Sequence, residues 1–424
     1  MSLVKTSLLN GISVIVKVAS ALVLNKILAV YVGPAGYAII GQFQNAVSIA
    51  VSLAGGLFGA GVTKSTAQNF DDEAKQRRIW QTAIRFSLLV SLVAGLVLLL
   101  LGNHLSEWLL HRAEMSSVFV WLALSLPAMA ANTLLLAIVN GKKEVHIYVA
   151  ANIIGSLLVM SLTGILAYKF GLYGVLVAFT INPAVVLLST TLMISKRDWF
   201  KTQFLWGKMD RSALHELSGF GLMGITSAIA MPLTFMFIRD HLVSQLGMEA
   251  AGYWQASWKI SEIYLMLVTT TLSVYYLPRL AEIRSSTELK AEIFKVYRFI
   301  LPLVIVGAVS MFFLRDFIIQ SLFTQEFLPM RDLFPWQLTG DVIKIGSWIV
   351  GYILVGRGLV KYFVFTEIFF SISLVILSWL FVGMYGLKGV PMAYVLTYLI
   401  HWLAMVYIGI KEMHKMGGAS HAAS

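Results

Sequence analysis

The chain has 424 residues, of which 58% are hydrophobic and only 12% are charged, and its mean hydropathy is +0.80. Soluble domains contain about 45–50% apolar and about 25% charged residues, so this composition excludes a water-soluble protein. The sequence has no cysteine, which excludes disulfides, thiolate metal sites and a cysteine nucleophile.

Long apolar segments separated by charged residues, Gly or Pro run through the chain. A membrane-spanning helix needs about 20 apolar residues, so the length has room for about twelve. The predicted spans lie near 8–32, 36–66, 79–102, 117–139, 146–168, 172–195, 218–240, 252–277, 297–314, 333–356, 362–384 and 388–410. An even number of spans places both termini on the same side.

Lysine and arginine are unevenly divided between the segments that join these spans. With the N-terminus inside, the inner segments hold 20 of them and the outer segments six, Arg239 among the six. Because cytoplasmic loops collect Lys and Arg, this bias predicts cytoplasmic termini. It also explains the net charge of +11 without nucleic-acid binding. Segment 196–217 mixes basic and aromatic residues, as is typical of an amphipathic helix on the inner membrane face.

Three short motifs recur at almost one offset. They are Ala-Gly-Tyr at 35–37 and 251–253, Gly-Lys/Arg at 141–142 and 356–357, and Gly-Leu-x-Gly-Val at 171–175 and 386–390. The offsets of 215 or 216 residues predict two related six-helix halves. Because six is even, both halves enter the membrane in the same orientation, as parallel repeats.

The repeats divide the chain into four parts. The predicted parts are an N-terminal six-helix lobe over 1–195, a cytoplasmic amphipathic linker over 196–217, a C-terminal six-helix lobe over 218–410 and a cytoplasmic tail over 411–424.

Ionisable side chains inside the predicted spans are the candidate site residues, because each costs about 2.5–3.5 kcal/mol at a helix centre. The six cations are Lys17, Lys26, Lys64, Arg85, Lys259 and Lys344, and the three acids are Glu262, Asp341 and Glu367. The excess of positive charge predicts a hydrated cavity that attracts a substrate bearing phosphates or carboxylates.

The four cations of the first half differ in depth. Lys17 and Lys26 are nine residues apart, which puts them on opposite faces of one helix. Lys17 is the deeper, so it is predicted to face the cavity, with a structural ion pair as the alternative. Lys64 and Arg85 lie near the inner face, where they either line the cavity or extend to the headgroups.

The acids of the second half have different neighbours. Lys259 and Glu262 are three residues apart, as are Asp341 and Lys344, so each pair can share a helix face and partly neutralise itself. Glu367 has no base three or four positions away, which favours a neutral carboxyl, either as a packing residue or as a site of ion exchange.

Catalytic signatures are missing from the sequence. It contains no HExxH, Walker loop, GxSxG or Gly-rich dinucleotide turn. We therefore expect no enzyme activity, no cofactor and no metal, and a transport process driven by an ion or substrate gradient.

Four stretches of the sequence resemble the Wzx-type flippases. They are the opening segment 1–10 with Lys17, the runs Lys26–Val30 (KILAV) and Gly33–Gly36 (GPAG), and Met330–Asp341 (MRDLFPWQLTGD) followed by Lys344. These are flippases of lipid-linked oligosaccharides for O-antigen or enterobacterial common antigen. They belong to the multidrug/oligosaccharidyl-lipid/polysaccharide exporter (MOP) superfamily. The resemblance runs through nearly the whole chain.

The resemblance implies an all-α, V-shaped fold like that of the multidrug and toxic-compound extruders (MATE). It implies an undecaprenyl-diphosphate-linked oligosaccharide as substrate, flipped to the periplasmic leaflet of the bacterial inner membrane by alternating access. It places the cations in the diphosphate and sugar cavity. A polysaccharide polymerase and a chain-length regulator are possible partners, and a monomer suffices to form the cavity.

One stretch departs from the family pattern. Relatives have an Arg in the second helix within Asn-Phe-Arg-Gln, whereas residues 42–45 here read Gln-Phe-Gln-Asn. Glu262 stands where the family has Asp, which keeps the charge. If that Arg contacts substrate, this chain binds it differently or prefers another glycan.

Two other functions are weighed against a flippase. An ion-coupled exporter of small amphipathic drugs would carry mostly cations, which the positive cavity repels. A membrane enzyme of glycan assembly would need a sizeable outer loop, whereas the outer segments stay under about twenty residues.

Overall fold

The computed structural model describes residues 3–218 and 221–421, and the regular elements in these ranges are all helices. The α-helices are α1 Leu3–Val51, α2 Leu57–Gln68, α3 Glu73–Leu105, α4 Ser117–Gly141, α5 Val145–Ile194, α6 Thr202–Leu205, α7 Arg211–Ser218, α8 Gly221–Leu246, α9 Met248–Thr271, α10 Leu277–Glu282, α11 Ser286–Leu322, α12 Phe334–Gly356, α13 Val360–Tyr385 and α14 Gly389–His421. Single π-helical turns at Ser52–Gly56 and Leu272–Tyr276 join α1 to α2 and α9 to α10.

Within the described ranges, nine continuous helical runs are long and apolar enough to cross a membrane. Three of them have 50 to 58 residues, about twice the length of one crossing. Each of these three contains a glycine with positive φ: Gly33, Gly171 or Gly386. The nine runs therefore hold the twelve predicted spans, and the prediction of an all-α multi-pass protein is confirmed.

Helix α3 shows how the chain packs in an apolar solvent. Its outer face carries exposed leucines, and Leu100 is 73% exposed. Its inner face carries the small residues Ser87, Ser91 and Gly95 at a spacing of four, all buried. A Cβ on Gly95 would lie 3.2 Å from the Ala123 carbonyl oxygen of α4. Small residues at an interface let helices approach closely where lipid is as apolar as the side chains.

The chain forms two compact units, Met1–Met236 and Phe237–Ser424. In the first unit α4 packs against α2, α3 and α5, and α1 packs against α5. Its core includes Val62, Trp80 and Ile138. In the second unit α12 packs against α11 and α14, around Tyr276 and Ile349. The Tyr276 hydroxyl donates to the Ile349 carbonyl at 2.9 Å.

The backbone repeats between the two units at the offset seen in the sequence. Gly171 has φ 56° and ψ −136°, and Gly386, 215 residues later, has φ 60° and ψ −142°. A Cβ on Gly174 would lie 2.1 Å from the Leu166 carbonyl oxygen, and one on Gly389 would lie 2.2 Å from that of Phe381. The duplication therefore extends to backbone conformation and to the tight glycine contacts.

The linker forms two short helices, α6 and α7, rather than one amphipathic helix. Asp210 precedes α7 and accepts hydrogen bonds from Ser212 and from the Ala213 amide. The hydrogen bonds from Ser212 lower the pKa of the Asp210 carboxyl below its usual value. At the C-terminus α14 extends to His421, and residues 422–424 of the predicted tail lie outside the described residues.

Gly171→Ala is expected to destabilise the protein by about 1–3 kcal/mol, because only glycine adopts its backbone conformation without strain. No atom lies within 4 Å of the added Cβ, so the loss would come from the backbone alone. Thermal unfolding of the purified protein measures it. Gly383→Ala is the control, since that glycine has the same open surroundings with helical φ. Equal unfolding temperatures for the two variants would contradict the claim that the positive φ at position 171 requires glycine.

Candidate functional site

The first unit contains a cavity of about 360 Å³ between α1, α4 and α5. Lys17 and Ser20 line it from α1, Asn132 from α4, and Asn152 and Ser156 from α5. The Asn152 amide donates to the Tyr148 carbonyl at 2.7 Å, and the Ser156 hydroxyl donates to the Asn152 carbonyl at 2.8 Å. These bonds fix the polar side chains on one wall of the cavity.

Lys17 is the charged residue of this cavity. Its side chain is partly buried, and among the described residues no carboxylate lies within 4.0 Å of its ammonium group. The side-chain oxygen Oδ1 of Asn132 accepts from the Thr190 hydroxyl at 3.2 Å. This orients the side-chain amide, whose NH₂ group is available as a donor. An ammonium and an amide donor on the walls of one cavity suit an anionic or hydroxyl-rich ligand.

The repeat explains why this space is open in the first unit. At the offset of 215, Gly155 and Val186 correspond to Phe370 and His401 of the second unit. The rings of Phe370 and His401 contact each other edge to face with centroids 4.7 Å apart. The His401 Nδ1 lies 2.5 Å from the Ser347 hydroxyl, where the first unit has Asn132. Larger side chains therefore occupy the positions that line the cavity in the first unit.

Asp341 lies on α12 in the interior of the second unit and is fully buried. Its Oδ2 accepts from the hydroxyls of Ser261 at 2.6 Å and Tyr264 at 3.0 Å. Its Oδ1 accepts from the Tyr394 hydroxyl at 3.0 Å and from the Gln337 amide at 3.4 Å. Four neutral donors from three helices thus surround one carboxylate, which compensates the cost of burying it.

Lys344 lies on the same helix among aromatic rings. Its ammonium is 4.6 Å from the ring centre of Trp348 and 5.0 Å from that of Trp258. Tyr394 and Tyr398 lie at 5.9 and 5.7 Å. Within the described chain no ion pair of 4.0 Å or less joins Lys344 to Asp341, although the two charges still attract each other at longer range. Cation–π contacts also stabilise the ammonium.

The other predicted pair is present. The Lys259 ammonium lies 2.9 Å from the Glu262 carboxylate. The other oxygen of that carboxylate accepts from the Trp258 indole at 3.2 Å. Because Trp258 also contacts Lys344, it links this pair to the aromatic cluster. The Glu262 side chain is 48% exposed, which makes it accessible to solvent or ligand.

The remaining predicted residues are dispersed. Lys26 is partly buried on α1 and does not line the cavity, consistent with the opposite face predicted for it. Lys64 is exposed on α2. The Arg85 guanidinium lies 5.5 Å from the ring centre of Trp206 in the linker, which favours the alternative of a residue near the membrane surface. Glu367 is partly buried, at the position that Asn152 has in the first unit.

Arg239 is the charged residue that the sequence placed wrongly. It is counted with the outer segments although it lies at the end of the predicted span 218–240, whereas α8 continues to Leu246 and the Arg239 side chain is only 3% exposed. Its guanidinium donates to the Gln255 side chain and lies 5.5 Å from the ring centre of Trp254. The apolar residues after it, Leu242 and Val243, were the available signal that the helix continues.

In the described ranges, nine helical runs in two repeated units are long and apolar enough to cross a membrane, and a lysine without a carboxylate within 4.0 Å lines a cavity of the first unit. These features are typical of a multi-pass membrane transporter. Solved structures of similar fold are transporters. One is the inward-facing conformation of a multidrug resistance MATE family transporter of the MOP superfamily, with TM-score 0.80, 16% identity and coverage of 96% of this chain and 99% of that one. Another is a MOP superfamily transporter from Pyrococcus furiosus, with TM-score 0.71, 16% identity and coverage of 96% of each chain.

The family described as "Polysaccharide biosynthesis protein" matches residues 27–332. The lipid III flippases of Escherichia coli (strain K12) and Shigella flexneri are each 32% identical over 408 residues, covering 95% of this chain and 97% of theirs. The chain belongs to this family of polysaccharide biosynthesis proteins, and the predicted relationship to flippases of lipid-linked oligosaccharides is confirmed. Its relatives are flippases and transporters, not enzymes.

Asp341→Asn is expected to destabilise the protein by about 1–3 kcal/mol, because the new NH₂ group faces donors and leaves a buried polar group unsatisfied. Thermal unfolding of the purified protein measures the change. Asp332→Asn is the control: this exposed carboxylate forms a surface ion pair with Lys388 at 3.1 Å, and its loss should cost less than about 1 kcal/mol. A neutral effect of Asp341→Asn would show that the carboxylate is already protonated.

Proposed function

We propose that the chain is a flippase that moves an undecaprenyl-diphosphate-linked oligosaccharide, such as lipid III, from the cytoplasmic to the periplasmic leaflet. The relatives named lipid III flippase, alike over nearly the whole length, support the reaction and the class of substrate. The observation that carries the proposal is the unpaired Lys17 in the cavity of the first unit.

Lys17 suits the part of this substrate that is hardest to move. A diphosphate cannot enter hydrocarbon without compensation for its charge, and a cation in a low-dielectric wall attracts it strongly. The amides of Asn132 and Asn152 offer hydrogen bonds to phosphate or sugar oxygens, and the Ser156 oxygen accepts from a sugar hydroxyl. The lipid tail stays in the bilayer, while the cavity binds the polar end.

In the second unit, Lys259 and Glu262 are the proposed contacts for sugar hydroxyls, because both side chains are partly exposed. The pair offers hydroxyls both a donor and an acceptor. The remaining cations, Lys26, Lys64 and Arg85, would attract the diphosphate along its route rather than bind it in the cavity of Lys17.

Alternating access is the proposed mechanism, with both termini cytoplasmic and the protein in the bacterial inner membrane. MATE transporters of this fold have been solved in inward-facing and outward-facing conformations. The distribution of Lys and Arg supports the orientation. One chain contains both repeats, so a monomer suffices, and a polymerase and a chain-length regulator would receive the product.

Glu262, Asp341 and Glu367 are the proposed sites of ion exchange that resets the carrier. Glu262 is accessible, whereas Asp341 is buried under hydroxyl groups that a proton on its carboxylate would displace. Exchange of H⁺ or Na⁺ at these acids would change the hydrogen bonds between α9, α12 and α14, and so couple an ion gradient to a change in helix packing.

Flipping by the purified protein in liposomes tests the proposal. The substrate is a fluorescent undecaprenyl-diphosphate oligosaccharide, and its transfer between leaflets is followed by quenching of the outer leaflet. Lys17→Ala should reduce the initial rate at least tenfold, because an unpaired cation in a low-dielectric site contributes more than about 1.4 kcal/mol. The wild type should restore growth of a flippase-null strain, and the variant should not.

Two controls make the result specific. Lys169→Ala removes an exposed cation and should flip at the wild-type rate. Lys17→Arg keeps the charge and should retain more activity than Lys17→Ala. Full activity of Lys17→Ala would refute the proposed role of Lys17 in binding the diphosphate. Drug resistance conferred by the wild type without flipping would favour a multidrug exporter instead.

The rate of flipping should also depend on an ion gradient. With an H⁺ or Na⁺ gradient across the liposome membrane, we expect it to be several-fold faster than with both collapsed, and Glu262→Gln should lose this difference. Asp332→Asn is the matched control, since Asp332 is an exposed acid in the 3₁₀ helix before α12. Equal rates with and without both gradients would exclude ion coupling.

A further inference from the structure

The turn between α4 and α5 carries a lysine where the repeat carries glycine. Lys143 has a φ of +59°, and Gly358, 215 residues later, has a φ of +65°. Glycine adopts this left-handed backbone freely, whereas another residue there costs roughly 1–2 kcal/mol. Such a residue is a reason to look for a function of its side chain.

The Lys143 side chain is one of two neighbouring cations on an exposed ring. The ammonium groups of Lys142 and Lys143 lie 5.8 and 5.2 Å from the ring centre of Phe70, which is 45% exposed. Lys142 also lies 5.4 Å from the ring centre of Trp80. Among the described residues neither ammonium has a carboxylate within 4.0 Å.

The neighbouring acid is bound elsewhere. The Glu144 carboxylate lies 3.2 Å from the Arg197 guanidinium and accepts from the Trp199 indole at 2.9 Å. In the second unit, Arg357 corresponds to Lys142, and its guanidinium donates to the Ile283 carbonyl at 2.8 Å. In the second unit the equivalent cation, Arg357, therefore forms a structural hydrogen bond. In the first unit Lys142 and Lys143 contact aromatic rings.

The turn is held on a rigid base. A Cβ on Gly141 would lie 2.6 Å from the Thr66 Cβ, so the turn lies directly against α2. The Trp80 indole donates to the Thr66 hydroxyl at 2.9 Å, and the Gln76 amide donates to the Thr66 carbonyl at 2.9 Å. The two lysines thus extend from a fixed backbone rather than from a mobile loop.

The linker adds basic and aromatic groups to the same unit. The Arg77 guanidinium and the Lys201 ammonium lie 3.5 and 5.7 Å from the ring centre of Phe204. Trp206 is 56% exposed. Exposed aromatic rings combined with lysine and arginine are typical of the boundary between lipid headgroups and acyl chains.

We infer that Lys142 and Lys143, together with the Phe70 ring that both contact, form a binding site for the phosphate headgroup of an anionic phospholipid. The two ammonium groups bind the phosphate, and the exposed ring packs on the upper part of the acyl chains. This inference rests on the proposed function in one respect: cytoplasmic termini place the bound lipid in the cytoplasmic leaflet. The site is separate from the cavity of Lys17, since no residue of the turn lines that cavity.

The test compares phosphatidylglycerol with phosphatidylcholine added to the purified protein in detergent, with thermal unfolding and native mass spectrometry as readouts. Phosphatidylglycerol should raise the unfolding temperature and remain bound, and phosphatidylcholine should do neither. Removing one lysine should weaken the apparent affinity for phosphatidylglycerol about fivefold, and removing both should weaken it about 25-fold. Each lysine near an anionic lipid surface contributes about 1 kcal/mol, which equals about fivefold in affinity.

Lys143→Gly is the most discriminating variant, because glycine suits the backbone and the variant will fold. Without lipid, its unfolding temperature should equal or exceed that of the wild type, while its response to phosphatidylglycerol should fall. Lys142→Gln should weaken the response similarly, and Lys361→Gln, an exposed lysine at the start of α13, should leave it unchanged. An undiminished response in Lys143→Gly, or an equal response to both lipids, would overturn the inference.

Discussion

Hydrocarbon cannot form hydrogen bonds with the backbone, and this single constraint governs the structure. Every N–H and C=O inside the membrane must find a partner in the protein, so the chain crosses as helices. Apolar side chains then need no burial, and small residues such as Ser91 and Gly95 come to lie between helices instead. In the described chain, each of the three longest helical runs is broken at a glycine with positive φ, as at Gly171 and Gly386.

The same constraint governs the charged side chains, and the two units meet it differently. In the second unit Asp341 is surrounded by hydroxyl and amide donors, and Lys344 by aromatic rings. These charges are compensated within the protein. In the first unit Lys17 lies beside a cavity and has no carboxylate within 4.0 Å among the described residues.

Duplication supplied the scaffold, and substitution at a few equivalent positions made the units different. Gly155 and Val186 leave space where Phe370 and His401 fill it, so the cavity lies in the first unit. Lys143 carries a charge at a turn where Gly358 relaxes the backbone. Because the repeated backbone stays the same, each such difference can be attributed to the side chain.

Hydropathy and recurring motifs allowed the sequence by itself to predict the spans, the repeat and the glycine breaks. Helix periodicity predicted the Lys259–Glu262 pair, since residues three positions apart on a helix share a face. Only the tertiary structure decided the partners of Asp341, because Ser261, Tyr264 and Tyr394 are 53 to 80 residues away in the chain. It also decided that Arg239 is buried. Helix periodicity specifies neighbours on one helix, whereas contacts between helices depend on how side chains from distant segments fill the space between them.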